Sequence, residues 1–421
     1  MSFQQGLSGL NAAAKNLDVI GNNVANSNTT GFKGSVANFG DVFAASLGGG
    51  GGTQVGIGTS LNSVAQQFSQ GNITVTSNPL DVAINGKGFF RMSDAGSITY
   101  ARNGQFAINK TGDIVDSSGA NLTGFQAKDG KIVPGVLVNL QVSSADLPPT
   151  VTKGIKVGAN LAATGANLPL LGFDEKNPLT FNFSTATSVV DSLGQSHTTT
   201  MYFNKTAANV WAVNVFVDGE RANAVGAETV LTFTNSGEMD PATPPVAATL
   251  DKIFTPKAPD PDPVTGLLVS NGASVQTMTM DFTSMTQFGS SYGVNLLEQN
   301  GFAAGQLSGY SIGSDGTILG RYNNGQTNIL GQVALANFSN SQGLKPMGES
   351  KWTESAESGA ALVGAPGTAS LGALQSAARE DSNVDLTAEL VNMITAQRVY
   401  QANAQSIKTQ DAVLQTLVNL K

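Results

Sequence analysis

The sequence predicts an α+β, multidomain protein with terminal α-helical, coiled-coil-like segments and nested, mainly antiparallel β-domains between them. Two observations carry this. Apolar residues recur every 3.5 positions at both chain ends, the period of helices that pack lengthwise on other helices. Between the ends the period drops to two, with turns rich in Gly and Asn. Gly accounts for 49 of 421 residues and charged residues for only 12%, about half the ~25% of ordinary soluble domains. A surface so poor in charge and rich in Asn, Thr and Ser suits dense packing against other chains.

The first helix has its seam at Phe3, Leu7, Leu10, Ala14, Leu17 and Val24. Ser2 and Gln5 form a capping box at its start, and Asn26, Ser27 and Asn28 favour its end. The five glycines at 48–52 read as a mobile loop. From Ile73, alternation through Val75, Leu80, Val82 and Ile84 runs into Asn85-Gly86, a hairpin signal. Tyr100 to Arg102, Asn103-Gly104, then Phe106 and Ile108 form a second such unit. Pro148-Pro149 marks a boundary. Trp211, Val213, Val215 and Val217 share a strand face that ends at Asp218-Gly219. A proline-rich run at 241–263 interrupts the pattern, which resumes at Val275. Ser382 with Asp385 caps the last helix, whose seam is Leu386, Leu390, Met393, Tyr400, Ala404, Ile407, Leu414 and Val418, with Ile394 beside it.

Each terminal helix is the obvious partner of the other, so the domains nest. Residues 1–30 with 382–421 form a helical polymerisation domain, and 31–71 with 364–381 form extended linkers. Residues 72–145 with 286–363 form an inner β-domain, into which 146–285 is inserted as an outer one. Narrow seams of this kind are marginal in isolation and firm up on assembly.

Chemistry is sparse. A net charge of −8 without a basic patch excludes nucleic acid as a partner. The uncharged stretch 42–80 is rich in Gln, Ser and Gly, so no membrane insertion is expected. There is no Cys and a single His197, which excludes disulfides and histidine clusters. Gly86-Lys87-Gly88 lacks the rest of a phosphate loop and reads as a turn. The pairs Asp113/Asp116 and Asp260/Asp262 lack the ligand spacing of a calcium loop. Ser196 and His197 are neighbours on a strand and point to opposite faces. Trp211 and Phe216 are read as core, with a sugar platform as the alternative. No metal, no cofactor and no enzyme activity are expected. The first charge is Lys15, so the N-terminus does not resemble a cleaved secretory signal.

Four motifs, in order, resemble those of the bacterial flagellar rod and hook axial proteins. They are Asn16 through Asn22, Asn23 and Asn26 to Gly31, Phe32 and Lys33; Asn78-Pro79-Leu80-Asp81 through Gly86 and Gly88 to Phe89 and Phe90; Arg102 to Phe106 with Gly112-Asp113; and Val384 through Gln401 to Leu420. Within that family the long insert, with Val189 to His197, is similar to the hook-type members. The resemblance implies a tubular homopolymer acting as a universal joint, extracellular, exported by the flagellar type III apparatus without a cleaved signal. It also implies the distal rod, hook cap and hook–filament junction proteins as partners. A distal-rod component, or a β-rich surface adhesin or glycan-binding module, remains as an alternative.

Overall fold

The computed structural model describes residues 2–42, 56–128, 130–143, 145–169, 173–222, 228–241, 273–274 and 277–419. The glycine run at 48–52, the proline-rich run from 242 onward and Val275 lie outside the described residues.

Helix α1 (Ser2–Ala25) opens the chain. It is followed by an antiparallel pair, β1 (Ser35–Val42) and β2 (Gly58–Gln66), so the first linker is itself a ladder. Helix α2 (Leu386–Asn419) closes the chain. At 24 and 34 residues the helices are about 36 and about 51 Å long. The Gln5 side-chain amide donates to the Gly56 carbonyl at 2.7 Å, and the side chain of Ser2, the other half of the predicted capping box, lies outside the described residues. At α2 the cap is Asp385 alone, whose Oδ1 accepts from the amides of Thr387 and Ala388 at 2.8 and 3.2 Å. Ser382 sits upstream in a turn, accepting from the Val384 amide.

The chain divides into two compact units. The first comprises Met1–Ser144, Ser308–Arg321 and Thr327–Lys421; the second comprises Ala145–Leu307 and Tyr322–Gln326. The sequence reading returned the chain to the inner domain at 286. The strand Gly293–Gln299 instead pairs antiparallel with Gly154–Asn160, which keeps it in the second unit. Backbone pairing with a partner some 140 residues away outweighs any local boundary signal.

In the first unit, Phe89–Asp94 pairs with Ser97–Ala101 and with Asn121–Lys128. Phe68, Phe89, Phe338, Tyr100 and Trp352 fill one core through edge-to-face contacts, such as Phe89–Trp352 at 5.7 Å and Tyr100–Phe338 at 4.8 Å. The edge-to-face arrangement sets the positive rim of one ring against the negative face of the next. Asn85-Gly86 and Asn103-Gly104 are not hairpins. Val82–Asn85 pairs with Ala373–Ser376 near the far end of the chain, and Ile73–Val75 pairs with Ala378–Glu380. Gly86 and Gly88, at φ +117° and +123°, carry the chain between two sheets in a conformation that a Cβ would oppose.

In the second unit, Phe183–Val190, Ser196–Ala207 and Val210–Val217 form an antiparallel ladder that turns at Asp218-Gly219 as expected. The strand Val210–Val217 is buried on both faces after its first residue. Trp211, Val213 and Val215 face a core with Phe203, Met280 and Phe282, and the Trp211 indole donates to Gln287 Oε1 at 2.9 Å. Phe216 turns the other way, onto Tyr202 and Phe173. Gly154–Asn160 also pairs with Thr279–Asp281, in parallel.

Candidate assembly surface

The two terminal helices run antiparallel. Gly6 of α1 meets Ile407 and Asn403 near the far end of α2, while Asn23 meets Glu389 near its start. The row that α1 buries is Gly6, Ala13, Ile20 and Asn23, and α2 answers with Met393, Ala396, Asn403 and Ile407. This differs from the predicted seam on α1, whose residues lie alongside the buried row. The reason is steric. A Cβ on Gly6 would stand 3.1 Å from Ile407 Cγ1, and one on Gly9 2.9 Å from Asn403 Oδ1. Small residues bring the helix axes close and turn the large ones away.

The large residues therefore face outward or lie at the margin. Phe3 is 45% exposed, Leu390 44%, Ile394 51% and Leu414 53%. Leu7, Leu386 and Tyr400 are also exposed, while Leu10, Leu17, Val24, Met393 and Ile407 are half-buried. The side chain of Val418 lies outside the described residues. Because Ile407 already lies opposite Gly6, the last turns of α2 run past the start of α1. β1 and β2 add Val36, Phe39, Leu61 and Val64 to the exposed apolar surface. Scattered exposed apolar residues are ordinary, but rows of them along two helices and a ladder are the mark of an interaction surface.

Beneath the helices lies a charged clasp. The Glu380 carboxylate takes Lys33 Nζ at 2.7 Å and the Gly71 amide at 2.9 Å on Oε1, and Arg102 Nη1 at 3.1 Å on Oε2. Lys33 also donates to the Ser69 carbonyl, and Arg102 to the Gly86 carbonyl. The Arg102 guanidinium lies 5.3 Å from the centre of the Phe89 ring. The side chains of Lys33 and Glu380 are fully buried. Burial pushes the Lys33 ammonium down from its ordinary 10.5, Glu380 pulls it back, and Arg102 adds a small repulsion. The Arg102 guanidinium is lowered by burial as well, again opposed by Glu380.

The motif residues mostly serve this junction. Asn23 accepts from the Ser35 amide and donates to the Ser35 carbonyl, pinning β1 to α1. Asn22 gives its carbonyl to the Asn26 side chain. Gly31, at φ +70°, donates its amide to the Glu380 carbonyl and lies against the backbone of Asn103; Phe32 is half-buried beside it. Asn78 bonds Asp81 and the Leu80 amide in a tight turn, and the exposed Pro79 accepts from Ser376. Leu80 and Phe89 are buried. Sequence reasoning missed Glu380. The available signal was the run Arg379-Glu380-Asp381, three charged residues together in a chain so poor in charge.

The weaker chemical candidates resolve into structure. His197 bridges Asp218 at 2.6 Å and Asp191 at 3.4 Å, while the Ser196 hydroxyl meets that of Ser188. Asp113 and Asp116 close two separate turns, on Thr111 and on Ser118 with Lys351. Asp260 and Asp262 lie outside the described residues. No helix among the described residues is long and apolar enough to cross a membrane.

The chain is thus a β-rich body whose two terminal helices pair with each other and carry large apolar residues on their outward faces. Residues 3–33 match the family described as Flagella basal body rod protein, and residues 83–160 the Flagellar hook protein FlgE/F/G D1 domain. Residues 160–302 match the Flagellar basal body protein FlaE D2 domain, and 375–420 the Flagellar basal body rod FlgEFG protein C-terminal family. The chain belongs to the flagellar hook protein family, and it is a structural subunit of the hook. It is 39% identical over 428 residues to the Flagellar hook protein FlgE of Escherichia coli (strain K12), with all of both chains covered. Against that of Treponema pallidum it is 30% identical over 464 residues, covering all of this chain and 99% of the other. The fold is similar to the crystal structure of Helicobacter pylori flagellar hook protein FlgE2, at a TM-score of 0.50 and 12% identity over 72% of this chain and 99% of that one. These matches do not favour the distal-rod or adhesin alternatives.

Proposed function

We propose that the chain polymerises through its terminal helices into a flexible tube, extracellular and placed between rod and filament, that transmits torque as a universal joint. The observation that carries this reading is the outward row of large apolar residues, Phe3, Leu7, Leu386, Leu390, Ile394, Tyr400 and Leu414, on helices already packed together through small ones. Leu10, Leu17, Val24, Met393 and Ile407 complete the contact surface at its margins, and Val418 is proposed to join it from the sequence seam alone. At ~1.5–3 kcal/mol for each large apolar side chain removed from water, even a few such burials per copy drive assembly. The motif residues Asn22, Asn23, Asn26, Gly31 and Phe32, with Asn78 to Asp81, Gly86, Gly88 and Phe89, hold the junction that presents this surface. The proposed partners at the tube ends are the distal rod, hook cap and hook–filament junction proteins. Delivery is by the flagellar type III export apparatus, without a cleaved signal. The chain carries no enzyme activity in this reading.

The test is electron microscopy of the full chain under polymerising salt, beside Leu390→Glu/Ile394→Glu. Tubes from the wild type and folded monomers from the variant are expected. A wild type that stays monomeric across salt conditions, or a variant that forms the same tubes, overturns the reading.

A further inference from the structure

A cleft of about 300 Å³ lies between α1, β1 and the first half of α2. Its walls mix small apolar groups, Ala13 from α1, Ala37 from β1 and Ala396 from α2, with neutral polar ones such as Asn16, Asn392 and Thr395. Glu389 also lines it. Glu389 Oε1 accepts a hydrogen bond from Asn23 Nδ2 at 3.3 Å. Its Oε2 is buried and has no hydrogen-bond partner. Desolvating a carboxylate oxygen without a donor is costly, so native structures rarely leave one. A slot of small apolar and neutral polar side chains with a carboxylate along it fits a long aliphatic stem ending in a hydrogen-bonding cation.

α2 carries two cations, Arg398 and Lys408. Arg398 stands nine residues after Glu389. At 3.6 residues per turn that is about two and a half turns, which places it on the opposite side of the helix. Lys408 comes out only about 100° from Glu389. Arg398 is exposed and has no ion-pair partner among the described residues. Its position excludes it from the cleft of its own chain.

We propose that the cleft of each copy receives Arg398 of a second copy, with the guanidinium donating to Glu389 Oε2 and the aliphatic stem lying along the alanine walls. An acceptor on one side of α2 and its donor on the other make a head-to-tail contact, which propagates from copy to copy instead of closing as a symmetric dimer. Nine residues of helix rise about 13 Å, so copies joined this way are staggered along the helix axis by that order. The inference rests on the polymerising function proposed above and names the side chains that make one of its contacts.

The test uses the full chain. Arg398→Glu, a change on an exposed side chain, is expected to leave the monomer's circular dichroism unchanged and to raise the critical concentration for tubes by roughly tenfold or more. Arg398→Lys is then copolymerised with ¹⁵N-labelled wild type and treated with a zero-length carbodiimide. The expected product joins a labelled peptide containing Glu389 to an unlabelled peptide containing position 398. If the wild type forms no tubes, the polymerisation reading fails, and this contact with it. If the wild type assembles and Arg398→Glu does so at the same concentration, the contact alone is overturned. Coupling of position 398 only to other carboxylates, or none detected in assembled tubes, overturns it as well.

Discussion

Replacing Glu380 by Gln removes the anion that lies between two buried cations. The Lys33 side chain is 0% exposed and that of Arg102 4%, so neither charge can turn to water without opening the junction. Gln keeps one acceptor oxygen, which in the Oε1 position can still take Lys33 and the Gly71 amide, but its NH2 then faces Arg102, so the 3.1 Å bond and the negative charge are lost. Hydrogen bonds to charged groups contribute ~1.5–3 kcal/mol each, and breaking a buried ion pair from one side costs ~3–5 kcal/mol. The second figure already contains the first, so the expected loss is about 3–5 kcal/mol. With a urea slope of ~2–3 kcal/mol/M, the midpoint falls by about 1–2.5 M. The two tryptophans make the assay local. Trp352 lies in the first unit's aromatic core and Trp211 in the core of the second unit. Urea unfolding of Trp211→Phe, with and without Glu380→Gln, follows the clasp through Trp352 alone. A midpoint that moves by less than about 0.3 M would mean that water or backbone shifts relieve the two cations, and the reasoning would fail.

Burial, followed by the charge of Glu354, pushes the Tyr100 phenol up to about 12 from 10.0. The fold therefore holds the neutral phenol, a contribution complete below pH 10 and lost as the pH rises from 10 to about 12. Absorbance titration of Tyr100→Phe against the wild type should show one tyrosine missing near pH 12; a loss near pH 10 would refute it. Asp116 is held below its ordinary 3.8, because hydrogen bonds from Lys351, Ser118 and the Ala120 amide outweigh the opposing effect of burial. Its contribution is present above pH 3.8 and lost as the pH falls through the lowered value, so Asp116→Asn should cost ~1–3 kcal/mol at pH 7 and progressively less in acid. Equal urea midpoint shifts at pH 7 and in strong acid would contradict this. Gly104→Ala places a Cβ 1.8 Å from the Val82 carbonyl oxygen, a backbone atom, and should destabilise by about 3 kcal/mol or more. Gly21→Ala, in α1 with open space around it, should instead stabilise the monomer by ~0.5–1 kcal/mol. Thermal melts of the two variants moving in the same direction would refute the comparison.

The helices were legible because their signal is local and repeats over many turns. α1 ends at Ala25, one residue from the position the Asn-Ser-Asn run suggested, and α2 begins directly after Asp385. The strand around Trp211 and its Asp218-Gly219 turn were legible for the same reason. The Asn-Gly pairs misled. Asn-Gly supplies the left-handed backbone a tight turn needs, but it does not say which strand the chain turns towards. The strand that runs into Asn85-Gly86, Val82–Asn85, pairs with Ala373–Ser376, far beyond any window in which alternation can be compared. The helix pairing was expected, yet its contact row was not. Large apolar residues draw the eye, and here Gly6, Gly9 and Ala13 make the contact that leaves those residues outside. Glu380 escaped because one carboxylate shows no period, and its partners Lys33 and Arg102 stand hundreds of positions earlier.

That separation sets an order of events during folding. The contacts that bring the ends together span 347 residues for Lys33–Glu380 and 366 for Asn23–Glu389, nearly the whole chain. Loop closure grows costlier with length, and contacts of such high order form late, once the segments between them have condensed. None of these closures can occur before Glu380 and Glu389 are present. A nascent or truncated chain can fold strands from its middle, but it lacks the paired helices. The paired helices, and the outward apolar rows they carry, thus come into being last.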